Sequence, residues 1–65
     1  MKTFKCFILN TNGTESEINI TTKSKHNLMR ELVSFEFDTA DIYDSNDNFL
    51  FQATFNEFGQ IKIVD

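Results

Sequence analysis

Sixty-five residues with 40% hydrophobic content and a net charge of −4 describe one small domain with a marginal core, because a chain of this size buries only about 60% of the surface its unfolded form exposes. The single cysteine, Cys6, excludes an internal disulfide and points to a reducing, cytoplasmic setting. No run approaches the ~20 apolar residues that span a bilayer, and Phe4 to Leu9, broken by Lys5, is too short for a signal-peptide core, so a soluble chain is expected.

Thr3 to Asn10 and Glu15 to Thr21 read as strands around Asn12-Gly13, a strong hairpin signal because both turn positions favour positive φ. A two-residue turn there predicts Leu9 opposite Ser16, Phe7 opposite Ile18 and Lys5 opposite Ile20. Phe7, Leu9, Ile18 and Ile20 then share one face, and Phe4, Cys6 and Ile8 share the other. The first strand, apolar on both faces, suits the sheet interior; the second, which alternates, suits an edge.

Thr21, Thr22 and Ser24 are candidate N-caps for a helix of about three turns reaching Val33, with Leu28, Met29, Leu32 and Val33 on one side and Lys23, His26, Asn27 and Arg30 on the other. Lys25 projects toward the apolar side and can snorkel out along its stem. Phe35 and Phe37 anchor an entry segment to a strand over residues 39–44, with Ala40 and Ile42 inward. Asp44-Ser45-Asn46-Asp47-Asn48 is a cluster of turn formers, and Phe49 to Phe55 alternates with Phe49, Phe51, Ala53 and Phe55 on one face. Asn56 to Gly59 forms a last turn, and Gln60 to Val64 a last strand with Ile61 and Ile63 aligned. The fold class expected is α+β: a two-layer, five-stranded, mostly antiparallel sheet in the order β-β-α-β-β-β, with one helix packed on one face. The order is similar to the grasp-type layout, in which a first hairpin, a helix and a second hairpin share one sheet; no family motif accompanies the likeness.

Charge divides along the chain. Residues 1–30 carry Lys2, Lys5, Lys23, Lys25 and Arg30 against Glu15 and Glu17, or +3; residues 31–65 carry Lys62 against Glu31, Glu36, Asp38, Asp41, Asp44, Asp47, Glu57 and Asp65, or −7. Such a division predicts an acidic region, built from Glu36, Asp38, Asp41, Asp44 and Asp47, that steers and selects partners.

No catalytic set is evident. The aspartates at every third position alternate faces on a strand and cannot all converge on a metal. The 44–48 stretch begins like a calcium loop, but Phe49 stands where that loop needs glycine and Phe55 where it needs a bidentate glutamate. His26 has no neighbouring acid in sequence to orient it, and Cys6 is expected on the sheet face away from the helix, which separates the two. Gly13 and Gly59 serve turns and not a phosphate loop. No metal, cofactor or enzyme activity is expected.

Eight phenylalanines exceed what one short helix can cover. Phe4 and Ile8, with the row Phe49, Phe51 and Phe55, are expected to form an apolar sheet face open to a partner. The chain is thus expected to be a non-enzymatic protein-interaction domain, self-associating as a homodimer or binding a partner through that face and its acidic half. Two alternatives use the charges differently. One is an inhibitor of the kind carried by phages and mobile elements, whose acids mimic nucleic-acid phosphates. The other is a single-stranded nucleic-acid binder using Lys5, Lys23, Lys25 and Arg30, against which the net negative charge argues.

Overall fold

The computed structural model describes residues 1–64. Its elements are β1 (Lys2–Leu9), β2 (Glu15–Thr22), α1 (Lys25–Leu32), β3 (Thr39–Tyr43), β4 (Phe49–Phe55) and β5 (Ile61–Val64). The five strands form one open sheet in the order β2-β1-β3-β4-β5, and every neighbouring pair is antiparallel. The expected element order is the observed one. β1 lies inside the sheet and β2 at its edge, as their apolar patterns require.

The three hairpin loops share one construction. In each, a first Asx amide donates to the carbonyl four residues on, and its carbonyl accepts from the residue three on: Asn10 with Thr14 and Gly13, Asp44 with Asn48 and Asp47, Asn56 with Gln60 and Gly59. This is a three-residue loop, a type I turn followed by a left-handed residue. Gly13 (φ 87°), Asp47 (φ 65°) and Gly59 (φ 78°) fill the left-handed position. Asp44 and Asn56 also accept, through their side-chain oxygens, the backbone amides two and four residues on. That is the local bonding that makes Asx residues turn formers.

The first of these loops corrects the expected register. A three-residue loop in place of a two-residue turn shifts β2 by one position, so that Leu9 pairs with Glu15, Phe7 with Glu17, Cys6 with Ile18 and Phe4 with Ile20. Side chains alternate along a strand, so one step of slip exchanges the faces. Phe4, Cys6, Ile8, Ile18 and Ile20 therefore share a side, and Phe7 and Leu9 occupy the opposite one.

That shared side holds the core. Leu28 and Leu32 of α1 are fully buried and belong to one cluster with Phe4, Cys6, Ile8, Ile20, Phe37, Ala40, Ile42, Phe51 and Ala53. Ser24 caps the helix, its hydroxyl accepting from the Asn27 amide, so α1 begins and ends inside the expected span. Val33, at the C-cap, is 52% exposed instead of joining the apolar side. Phe37 is buried against Phe55, ring centroids 4.7 Å apart, whereas Phe35 stays exposed. Lys25 extends its ammonium over the Phe51 ring, 4.5 Å from the centroid; a first-turn cation that opposes the helix dipole is thereby compensated by a ring quadrupole.

β4 departs from simple alternation at one point. Ile42 pairs with Phe51 and Tyr43 with Phe49, leaving Leu50 as an extra residue in a bulge. The bulge turns Phe49 away from the core side, which carries Phe51 and Ala53, and places it beside Tyr43.

Two measurements check this architecture. An added Cβ at Gly13 would meet nothing within 4 Å, so Gly13→Ala carries only the left-handed backbone cost; urea unfolding is expected to show a loss of about 1 kcal/mol. Burial pushes the Cys6 thiol up to about 11. Between the ordinary thiol value of roughly 8.5 and that value, the unfolded chain loses a proton the folded chain keeps, so stability falls as pH rises. Cys6→Ala is expected to be less stable than the parent at neutral pH, with the gap narrowing by about pH 10.5; a constant gap would contradict the buried neutral thiol.

Candidate interaction surface

Among the described residues no helix or further strand covers the side of the sheet away from α1. Strand pairing places its residues in rows. One row runs Glu17, Phe7, Asp41, Gln52 and Val64; the next runs Glu15, Leu9, Thr39, Thr54 and Lys62; a third runs Asn19, Lys5, Tyr43 and Phe49. Phe7 (42% exposed), Leu9 (36%) and Phe49 (52%) reach solvent from it. Tyr43 stands between the two phenylalanines, edge to face with Phe7 at 5.2 Å and with Phe49 at 5.5 Å, so three rings from three strands form one contiguous aromatic row.

Carboxylates border these rings. Glu15 and Glu17 come from β2 and Asp41 from β3, and with Phe7, Leu9, Ser16 and Thr39 they line a shallow depression of about 580 Å³. Asp41 is oriented by the Gln52 amide, which donates to it at 3.0 Å. Lys5 bonds to Asp47, whose carboxylate raises the lysine above its ordinary pKa, first through the hydrogen bond and then through its charge. The pair leaves little free positive charge at the centre of the face. Lys62, at its far edge, is exposed.

The residues expected to form an open apolar face are separated by the fold. Phe4, Ile8 and Phe51 are buried on the helix side, each at most 5% exposed: Phe4 and Ile8 because of the one-residue register difference at Gly13, Phe51 through its pairing with buried Ile42. Phe55 is half-buried against Phe37. Phe49 alone of the five reaches the open face, and it does so through the bulge.

The expected acidic region is likewise divided. Glu36 and Asp38 precede β3, Asp44 and Asp47 follow it, and Asp41 lies between on the open face. Asp44 is engaged by its own turn, where bonds from Asn48 and Asn46 hold its carboxyl below the usual range. Asp47 is engaged by Lys5. Among the described residues no group of three or more His, Cys, Asp or Glu side chains is arranged to hold a metal ion.

Glu15 and Glu17 were hidden by counting charge along the chain, since they belong to the net-positive half. Their spacing by two in an edge strand is the signal that places both beside Phe7 and Leu9. Lys23, Lys25, His26 and Arg30 all come from α1 and its approach, on the other side of the sheet from Lys5. Charge therefore differs by side of the sheet: on the open face Glu15, Glu17 and Asp41 outweigh Lys62, and around the helix Lys23, Lys25 and Arg30 outweigh Glu31. Cys6 is buried in the core and not on the face away from the helix, and His26 is exposed. No helix of the described residues is long and apolar enough to cross a membrane.

No protein-family model, curated protein or solved structure matches the chain.

The Lys5–Asp47 pair is open to direct titration. The Lys5 ammonium is expected to titrate above the ordinary lysine value, and Asp47→Asn to lower it, as read from its side-chain resonances. A Lys5 curve unmoved by the substitution would show that the pair does not form in solution.

Proposed function

We propose that the chain is a small, non-enzymatic protein-interaction domain that receives a basic partner on its open sheet face. The observation that carries this is the Phe7–Tyr43–Phe49 row, exposed at its two phenylalanines, with Leu9, bordered by Glu15, Glu17 and Asp41. Aromatic anchors supply buried area, and the surrounding acids supply orientation and steering. In this reading α1 forms a second layer that closes the helix side and leaves the other side to the partner. The buried free thiol of Cys6 suits a reducing, cytoplasmic location.

A homodimer closed face to face about a twofold axis would bring two copies of the same acidic surface together, and like charges across an interface are costly. The charge thus favours a different, basic protein over a second copy. Phosphate mimicry by the acids along β3 is less favoured, because Asp44 and Asp47 already have partners within the chain. Single-strand binding is less favoured too, since Lys5 is paired with Asp47 and Lys23, Lys25 and Arg30 lie across the sheet.

The test is a resonance titration with oligolysine and, separately, with a thymidine oligonucleotide. Oligolysine is expected to shift the amides of Phe7, Leu9, Glu17 and Asp41, with affinity falling severalfold as salt rises past ~0.1 M, where the Debye length is about 10 Å. The double variant Glu17→Gln, Asp41→Asn is expected to bind severalfold more weakly. Shifts confined to the helix side, or preferential binding of the oligonucleotide, would overturn the proposal.

A further inference from the structure

We propose that β2 is a docking edge to which an extended protein segment, alternating basic and apolar residues, adds as a sixth strand. The proposal rests on the interaction-domain reading above and specifies its partner.

The backbone geometry supports it. In an antiparallel pair, residues alternate between those bonded across the ladder and those whose amide and carbonyl turn outward. The Asn10 amide bonds to the Thr14 carbonyl, so the bonded pairs continue at Ile8–Ser16, Cys6–Ile18 and Phe4–Ile20. Glu15, Glu17, Asn19 and Thr21 therefore direct their backbone groups away from β1. Leu9, opposite Glu15, shows the same alternation from the other strand: its carbonyl faces β3 and accepts the Asp38 amide at 2.8 Å. Among the described residues no backbone hydrogen bond reaches the outward groups of β2.

The two edges of the sheet differ. β5 has four residues and carries Lys62, the short, charged form that discourages pairing. β2 has eight residues, about 27 Å of strand, with no lysine, proline or bulge. Its outward backbone groups belong to the residues whose side chains lie on the open face. In an added antiparallel strand, a residue bonded to Glu15 or Glu17 points its side chain to that same side. A lysine or arginine there meets a carboxylate. The intervening residues fall on the helix side beside Ile18, which is half-buried, and apolar side chains would complete its cover. Among the described residues no strand carries cations at alternate positions, so a second copy does not supply the pattern.

The experiment uses two eight-residue peptides alternating lysine and valine, one unmodified and one N-methylated at each lysine amide. Each is titrated into the protein at low salt, with resonance shifts, amide exchange and light scattering recorded. The unmodified peptide is expected to shift the amides of Glu15, Glu17, Asn19 and Thr21, to slow their exchange, and to bind at least tenfold more tightly than the methylated one. Glu17→Lys is expected to weaken it by a similar factor. Equal binding of both peptides, with shifts centred on Phe7 and Asp41, would overturn strand addition while leaving the acidic-face reading intact. No binding of either peptide would overturn both. Slow exchange of the outward β2 amides without peptide, together with the mass of two chains, would overturn the proposal and assign the edge to a second copy.

Discussion

Which side of β1 becomes core depends on its pairing with β2, and that pairing depends on a left-handed residue at Gly13. β1 carries large apolar groups on both sides: Phe4, Cys6 and Ile8 on one, Phe7 and Leu9 on the other. Either set could line a core, and hydrophobic burial does not distinguish them by itself. The loop does. With three residues between Asn10 and Thr14, Ile18 and Ile20 lie on the same side as Phe4, Cys6 and Ile8, and Leu28 and Leu32 complete the cluster there. The set left outside becomes part of the face open to solvent.

The distribution of charge follows from the same choice. Glu15 and Glu17 stand beside Phe7 and Leu9 because β2 presents its odd-numbered residues to that side, and β3 adds Asp41. The cations of α1 and its approach lie across the sheet. A sheet is one residue thick, so sorting charge by the parity of residue number sorts it by surface. The linear excess of acids in the second half is a weaker description, because two of those acids stabilise a turn or pair with Lys5. Binding partners respond to the field at a surface and not to its order along the chain.

The strand and helix positions were legible in the residues, because periodicity and turn chemistry are local signals. The faces were not, because they depend on loop length to within one residue. Asn12-Gly13 reads as a two-residue turn when taken alone. Asn10 at the first position of a type I turn, with glycine at the fourth, describes the loop that forms; Asp44 to Asp47 and Asn56 to Gly59 repeat the same spacing. The bulge at Leu50 had no sequence signal, since Phe49 to Phe55 alternates without interruption, and the bulge alone sends Phe49 to the open face. The interior position of β1 and the edge position of β2 were readable, because a strand covered on both sides must be apolar on both.

The bulge at Leu50 also bears on how such a chain can change. Loops are ordinarily where insertions and deletions are absorbed, since added residues leave the flanking elements in place. Here the residue count around Gly13 and at Leu50 assigns side chains to surfaces, so a single-codon insertion or deletion would exchange what is hidden for what is displayed. Length variation among relatives of this chain should instead gather between α1 and β3, where residues 33–36 precede the core contact of Phe37 and the bond from Asp38 to Leu9 and fix no strand pairing. Conserved hairpin lengths around a variable helix-to-strand connector would be the mark that evolution has preserved the open face.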